Sequence, residues 1–122
     1  MWSDRYNYYQ IKSDIAYSKN IHPVAAINLF LQTGYFVKTK NNELKNASHF
    51  PWINVALVNS KNGNFNDKET DFLTINLIAI VCAKGQEIDQ GIYLSPLMQI
   101  ARALNWKLYL EEDDEGNTEI EF

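Results

Sequence analysis

Residues 73–82 read LTINLIAIVC, the most hydrophobic run in the 122-residue chain. A strand with one solvent face alternates apolar and polar residues, whereas a strand buried on both faces does not. This run is apolar and β-branched on both faces near its middle, so it predicts a central strand. Upstream, WINVALVN (52–59) predicts a second strand, with Pro51 and Trp52 at its start. Between them lies NSKNGNFNDKETD (59–71), which is rich in turn formers and has no apolar period. It predicts a loop, making the two strands a hairpin with a long connection.

Downstream, Gly85 and Gly91 bracket the next loop. SPLMQIARALN then supplies Ser95 as an N-cap and Pro96 at the first helical position. Leu97, Ile100, Ala101 and Leu104 follow at helical spacing. WKLYLE (106–111) alternates, with Trp106, Leu108 and Leu110 inward and Lys107, Tyr109 and Glu111 outward. After the turn DDEG, where Gly116 is free to take positive φ, NTEIEF alternates again. Thr118, Ile120 and Phe122 share one face, and Glu119 and Glu121 share the other. The last twelve residues therefore predict the second half of a β-hairpin.

Toward the N-terminus, HPVAAINLFLQTG predicts a helix that starts at Pro23 and ends at Gly34. Its apolar stripe is Val24, Ile27, Phe30 and Leu31. Residues 35–37 continue as a short extended segment, and KTKNNELKNAS (38–48) reads as a polar loop. YNYYQIKS (6–13) predicts a strand with Tyr9 and Ile11 on one face and Tyr6 and Tyr8 on the other. A helical reading through Tyr8, Ile11 and Ile15 stays open there.

The resulting order, β–α–β–β–α–β–β, predicts an α+β fold in one domain spanning residues 1–122. Split βαβ units in this order suggest a ferredoxin-like two-layer sandwich. It would be an antiparallel sheet with two helices on one face, order β-α-β-β-α-β plus a C-terminal hairpin strand. Hydrophobic residues make up 46% of the chain, enough for a core at this length.

Composition narrows the function classes. No apolar run is long enough for a membrane span. MWSDRYNYYQ carries an acid and no apolar h-region, so neither a secretory signal nor a transit peptide is expected. The single cysteine, Cys82, has no internal disulfide partner. These features predict a cytoplasmic protein.

Catalytic signatures are missing. The chain has no phosphate-binding glycine loop, nucleophile elbow, H-x-x-x-H or C-x-x-C. His22 precedes Pro23 and is expected at the helix start. His49, in NASHFPW, is the one plausible base, but no acid or nucleophile is paired with it in sequence. Cys82 sits in the core run and is expected to be inert. The acids of EEDDEGNTE are out of register for an EF-hand, and neighbours on a strand point to opposite faces, so no metal site or cofactor is expected. Lys38, Lys40, Lys45 and His49 make a weak basic loop. A pI near 5.1 argues against nucleic acid. Trp2, Tyr6, Tyr8 and Tyr9 form an aromatic cluster divided between packing and interface roles.

Charge is unevenly placed. Residues 1–110 hold eleven basic and eight acidic side chains, whereas residues 111–122 hold seven acids and no base. Edge protection explains two or three charges on a strand; seven exceed that need, and a surface patch serving only as edge protection stays open as the other reading. A fixed acidic patch predicts a basic protein partner. Glu111, Glu112, Asp113, Asp114, Glu115, Glu119 and Glu121 would contact it, with Tyr109 as an aromatic anchor.

In size, acidity and this acidic segment, 111–121, the chain resembles the small acidic immunity proteins that bacteria make beside polymorphic toxins of contact-dependent inhibition or type VI secretion. The resemblance implies a non-catalytic protein that neutralises a cognate toxin domain, often a cationic nuclease, through complementary charge. Two other readings are carried forward. One is a small ferredoxin-like enzyme or ligand-binding domain with its site near His49. The other is a structural subunit that oligomerises through its sheet.

Overall fold

The run at 73–82 becomes the centre of the molecule. In the computed structural model, which describes residues 5–60, 74–85 and 89–122, the strand Leu77–Ala83 is the fourth of seven. The elements are β1 (Tyr6–Lys12), α1 (Pro23–Gln32), β2 (Phe36–Lys40), β3 (Glu43–Asn46), β4 (Ile53–Val58), β5 (Leu77–Ala83), α2 (Gly91–Leu104), β6 (Lys107–Glu112) and β7 (Thr118–Glu121). The strands form one sheet in the order β2-β3-β4-β5-β1-β6-β7, and every pairing is antiparallel. The fold is α+β, as expected. The expected loop at 61–71, Trp2 and the middle of the 85–91 loop lie outside the described residues.

One face of the sheet makes the core. Tyr9 and Ile11 of β1, Ile53, Val55 and Leu57 of β4, Ile78, Ile80 and Cys82 of β5, and Leu108 of β6 are buried there. They pack with Ala26, Ile27 and Phe30 of α1 and with Tyr93, Leu97, Ile100 and Ala101 of α2. Strand residues of the opposite parity belong to no part of this cluster.

The sheet is larger than the sequence predicts. Residues 38–48, read as a loop, fold into the hairpin β2–β3 around a turn at Asn41 and Asn42. Asn42 takes the left-handed φ of +59°, which asparagine tolerates better than most residues. An edge hairpin needs few apolar anchors, and Phe36 and Leu44 are its buried ones. Apart from the exposed Val37, its other side chains are polar, which hid the strand period.

The helices also differ in detail. In α1 the buried stripe is Pro23, Ala26, Ile27 and Phe30, while Val24 and Leu31 are about half exposed. His22 is the N-cap, as its position predicts, and its Nδ1 accepts the Val24 N–H at 3.2 Å. Helix α2 starts at Gly91, a turn before the expected Ser95, and Pro96 lies inside it. Tertiary contacts hold that extra turn. Tyr93 is fully buried and its hydroxyl donates to the Trp52 carbonyl at 2.9 Å. Gln90 accepts from Asn7 at 2.9 Å and from Tyr9 at 3.1 Å, and donates to the Ala83 carbonyl at 3.0 Å. The helix ends at Asn105, whose φ of +57° makes a left-handed cap.

Candidate functional site

Strand register lays the second sheet face out in cross-strand rows. One row runs Tyr8, Val81, Asn54, Lys45, Val37 from β1 across to β2. The next runs Glu121, Tyr109, Gln10, Ala79, Ala56, Glu43, Lys40 from β7 to β2. Two alanines therefore stand side by side at the middle of a wide sheet, with larger side chains around them. The result is a cleft of about 710 Å³ over Ala56 and Ala79. Tyr8, Gln10, Asn54 and Val81 flank it, with Lys40 and Glu43 toward one end and Glu111 toward the other. At the margin of the same face, Trp52 is 42% exposed and meets the Tyr6 ring at 5.3 Å. Exposed Trp and Tyr side chains of this kind are the residues that most often anchor protein interfaces.

One end of this face holds a buried ammonium. Lys12 is wholly buried, and its Nζ donates to Gln10 Oε1 at 2.6 Å and Glu119 Oε2 at 2.7 Å. The Tyr17 hydroxyl lies 3.3 Å away, and the Tyr17 and Tyr109 rings sit 4.4 and 4.9 Å from the nitrogen. A buried charge needs such an arrangement, because an unpaired ammonium out of water is very costly.

The expected partner-binding residues do not form one open patch. Tyr109 is not an exposed anchor. It points away from the helices as expected, but it is 2% exposed beneath Lys12 and its neighbours. Its hydroxyl pKa is raised, first by burial and then by the charge of Glu121. Three carboxylates are matched by lysines from elsewhere in the chain: Glu119 by Lys12, Asp114 by Lys84, and Glu121 by Lys107 at 3.3 Å. Asp113 builds the hairpin turn, accepting the N–H groups of Glu115 at 2.9 Å and Asn117 at 2.8 Å and the Asn117 amide at 3.0 Å. These bonds, the Asn117 side chain first, hold its carboxyl below the usual range. Glu111 borders the cleft. Glu112 and Glu115 make no ion pair with another described residue. The excess of acids read along the sequence is thus partly neutralised in space, by lysines 14, 30 and 107 positions away.

His49 is exposed, packs at 6.1 Å against the Tyr35 ring, and is not among the residues around the sheet-face cleft. Cys82 is buried in the core, and burial pushes its thiol up to about 12. Among the described residues, no three His, Cys, Asp or Glu side chains gather as a metal would require. No helix among the described residues is long and apolar enough to cross a membrane. Sequence reasoning missed Lys12, Gln10 and the Ala56–Ala79 pair. The alternation of β1 places Lys12 on the same face as Tyr8, but only the sheet order brings Glu119 to it. No model of a known protein family matches the chain, and no curated protein matches it.

Proposed function

We propose that this chain is a non-catalytic binding protein of the immunity type. It neutralises a basic partner, a cognate toxin domain, by docking it on the second sheet face beside the acidic hairpin. One observation supports this most: an acidic hairpin, its turn held by Asp113, stands next to a sheet face that no described helix or strand covers, with a central cleft and an exposed Tyr6–Trp52 pair. The contact set is narrower than the acid count suggests. Glu112 and Glu115 meet the partner, while Glu119, Glu121 and Asp114 hold the protein's own lysines. A buried thiol and internal ion pairs suit the cytoplasm. We read β1, α1, β4, β5, α2 and β6 as a ferredoxin-like two-layer unit, since β4-β5-β1-β6 is the matching strand order. The hairpin β2–β3 and strand β7 are additions at its two edges.

The test begins by sequencing the DNA flanking this gene, where a small basic C-terminal domain on a large secreted protein is expected. That domain is then used, and housekeeping neighbours would count against the proposal. Co-expression is expected to give a stable complex and to relieve toxicity. Glu112→Lys with Glu115→Lys is expected to weaken the complex about tenfold or more and to flatten its salt dependence. Reversing Glu119 or Glu121 is a poorer probe, because it places a lysine against Lys12 or Lys107. Unchanged affinity in the double variant, or no complex, sinks the proposal.

A second reading, binding of a small ligand, is favoured by the cleft volume, which lies in the ~300–1,000 Å³ range of ligand sites. Ala79→Leu would fill that cleft and abolish ligand binding, whereas the charge reversals would not.

A further inference from the structure

Four described non-glycine residues have positive φ: Tyr17, Asn42, Asn105 and Glu119. The two asparagines sit in a hairpin turn and a helix cap, where that conformation is common. Tyr17, at +56°, and Glu119, at +52°, have no such excuse. A bulky or long side chain there is strained and persists only when its surroundings hold it. Both residues touch the same atom. Lys12 Nζ bonds the Glu119 carboxylate at 2.7 Å, lies 3.3 Å from the Tyr17 hydroxyl and sits 4.4 Å from the Tyr17 ring.

We propose that Lys12 is a latch that holds two strained segments, the strap Ser13–Asn20 and strand β7, closed over one end of the open sheet face. Apart from the Lys12 contact and Asn20, whose side-chain oxygen accepts from the Asn59 amide at 3.1 Å, the strap's other described hydrogen bonds are internal. Tyr17 N–H and Ser18 N–H bond Asp14 at 3.2 and 3.1 Å, and Lys19 N–H bonds Ser13 Oγ at 3.2 Å, all within the strap. Strand β7 is an edge strand paired to β6 alone. When the ammonium leaves, both segments relax toward ordinary backbone conformations and open together. Lys12 then withdraws from Gln10 and from the Tyr109 ring, and the cleft over Ala56 and Ala79 lengthens past Gln10 toward Tyr109. The latch therefore sets how much of this face a partner can reach; this consequence rests on the docking role proposed above, whereas the coupling of the two segments does not.

The test is amide hydrogen exchange on the protein alone, comparing wild type with Glu119→Gln and Tyr17→Phe. Each change is small and lies in only one of the two segments. Glu119→Gln is expected to speed exchange of the Tyr17, Ser18 and Lys19 amides about tenfold, although it touches none of them. Tyr17→Phe is expected to speed the Phe122 amide, which bonds the Leu108 carbonyl at 2.9 Å, by a similar factor. Amides of β4 and β5 should be unchanged. If each variant speeds only its own segment, or neither segment responds, the latch is overturned. Coupled exchange in a protein that binds no basic domain would leave the latch standing and remove the docking role alone.

Discussion

Lys12 is wholly buried, and the cost of burying its ammonium decides what its neighbours must be. Removing one partner of a buried pair strands the other charge, which typically costs about 3–5 kcal/mol. The Glu119 side chain is 34% exposed and Gln10 still holds the ammonium, so Glu119→Ala is expected to lower stability by less, about 1.5–3 kcal/mol in a urea melt. The pair Lys12→Met with Glu119→Leu should lose less than the single change, because no charge is left behind. A double variant no better than Glu119→Ala would mean that the ammonium finds water when unpaired. Asp113 poses the same question at the surface. Its carboxyl sits below the ordinary value of 3.8 because it accepts bonds from the hairpin turn, Asn117 first. A lowered carboxylate contributes stability above its unfolded pKa and loses it as pH falls through the folded one. The Glu115 and Asn117 amide resonances should therefore keep their native shifts at pH above 3.8 and lose them only in stronger acid. Asp113→Asn should flatten that titration; an unaltered one would assign it to another group. Neither residue's role was legible as a contact. The sequence shows seven clustered acids, but their lysines are distant along the chain and only folding pairs them.

Helix α2 shows how local signals and tertiary contacts compete. Ser95 and Pro96 are a strong start signal, yet the helix begins at Gly91 because the turn before them is anchored from outside. Tyr93→Phe removes the bond to the Trp52 carbonyl and should cost about 1–2 kcal/mol, with faster exchange of the Tyr93 and Leu94 amides. Equal stability would mean that hydrophobic burial of the ring alone holds the extra turn. Strand β4, the bulk of α2 and the hairpin β6–β7 were readable from sequence, and β5 from its unbroken apolar run, whereas β1 could be read as strand or helix. Strand β6 shows the limit of that reading. Its alternation was right, but Tyr109 on the outward side is covered by Lys12, so outward did not mean exposed. The hairpin β2–β3 was unreadable because an edge pair anchored by Phe36 and Leu44 has too few apolar positions to set a period. The cleft was equally hidden. Ala56 and Ala79 are ordinary strand residues until the register puts them side by side.

Across the whole sheet, charge runs from one edge to the other. The β2–β3 side carries Lys38, Lys40 and Lys45 against Glu43, and the β6–β7 side carries the acidic hairpin. Opposite edges of opposite charge invite head-to-tail pairing between copies, which would grow without closing. Both edges carry features that oppose it. Strand β2 is interrupted by a register shift between Lys38 and Lys40, and strand β7 is four residues long with a left-handed kink at Glu119. Bulges, short edges and charges are the usual means of blocking sheet extension. The wild-type protein is therefore expected to sediment as a monomer, whatever the salt concentration. Deleting Thr39 restores a regular register from Phe36 to the Asn41–Asn42 turn, because that residue is the one extra position in the ladder. Combined with Lys38→Val, the deletion should give concentration-dependent association, weakened by salt, with no loss of the core fold. If the wild type already associates, the edges are not protected, and the sheet itself becomes the interface that an oligomerising subunit would use. If the variant stays monomeric, the block lies at β7, and Glu119→Val, whose β-branched side chain disfavours the left-handed φ, is the change that should straighten the strand and release it.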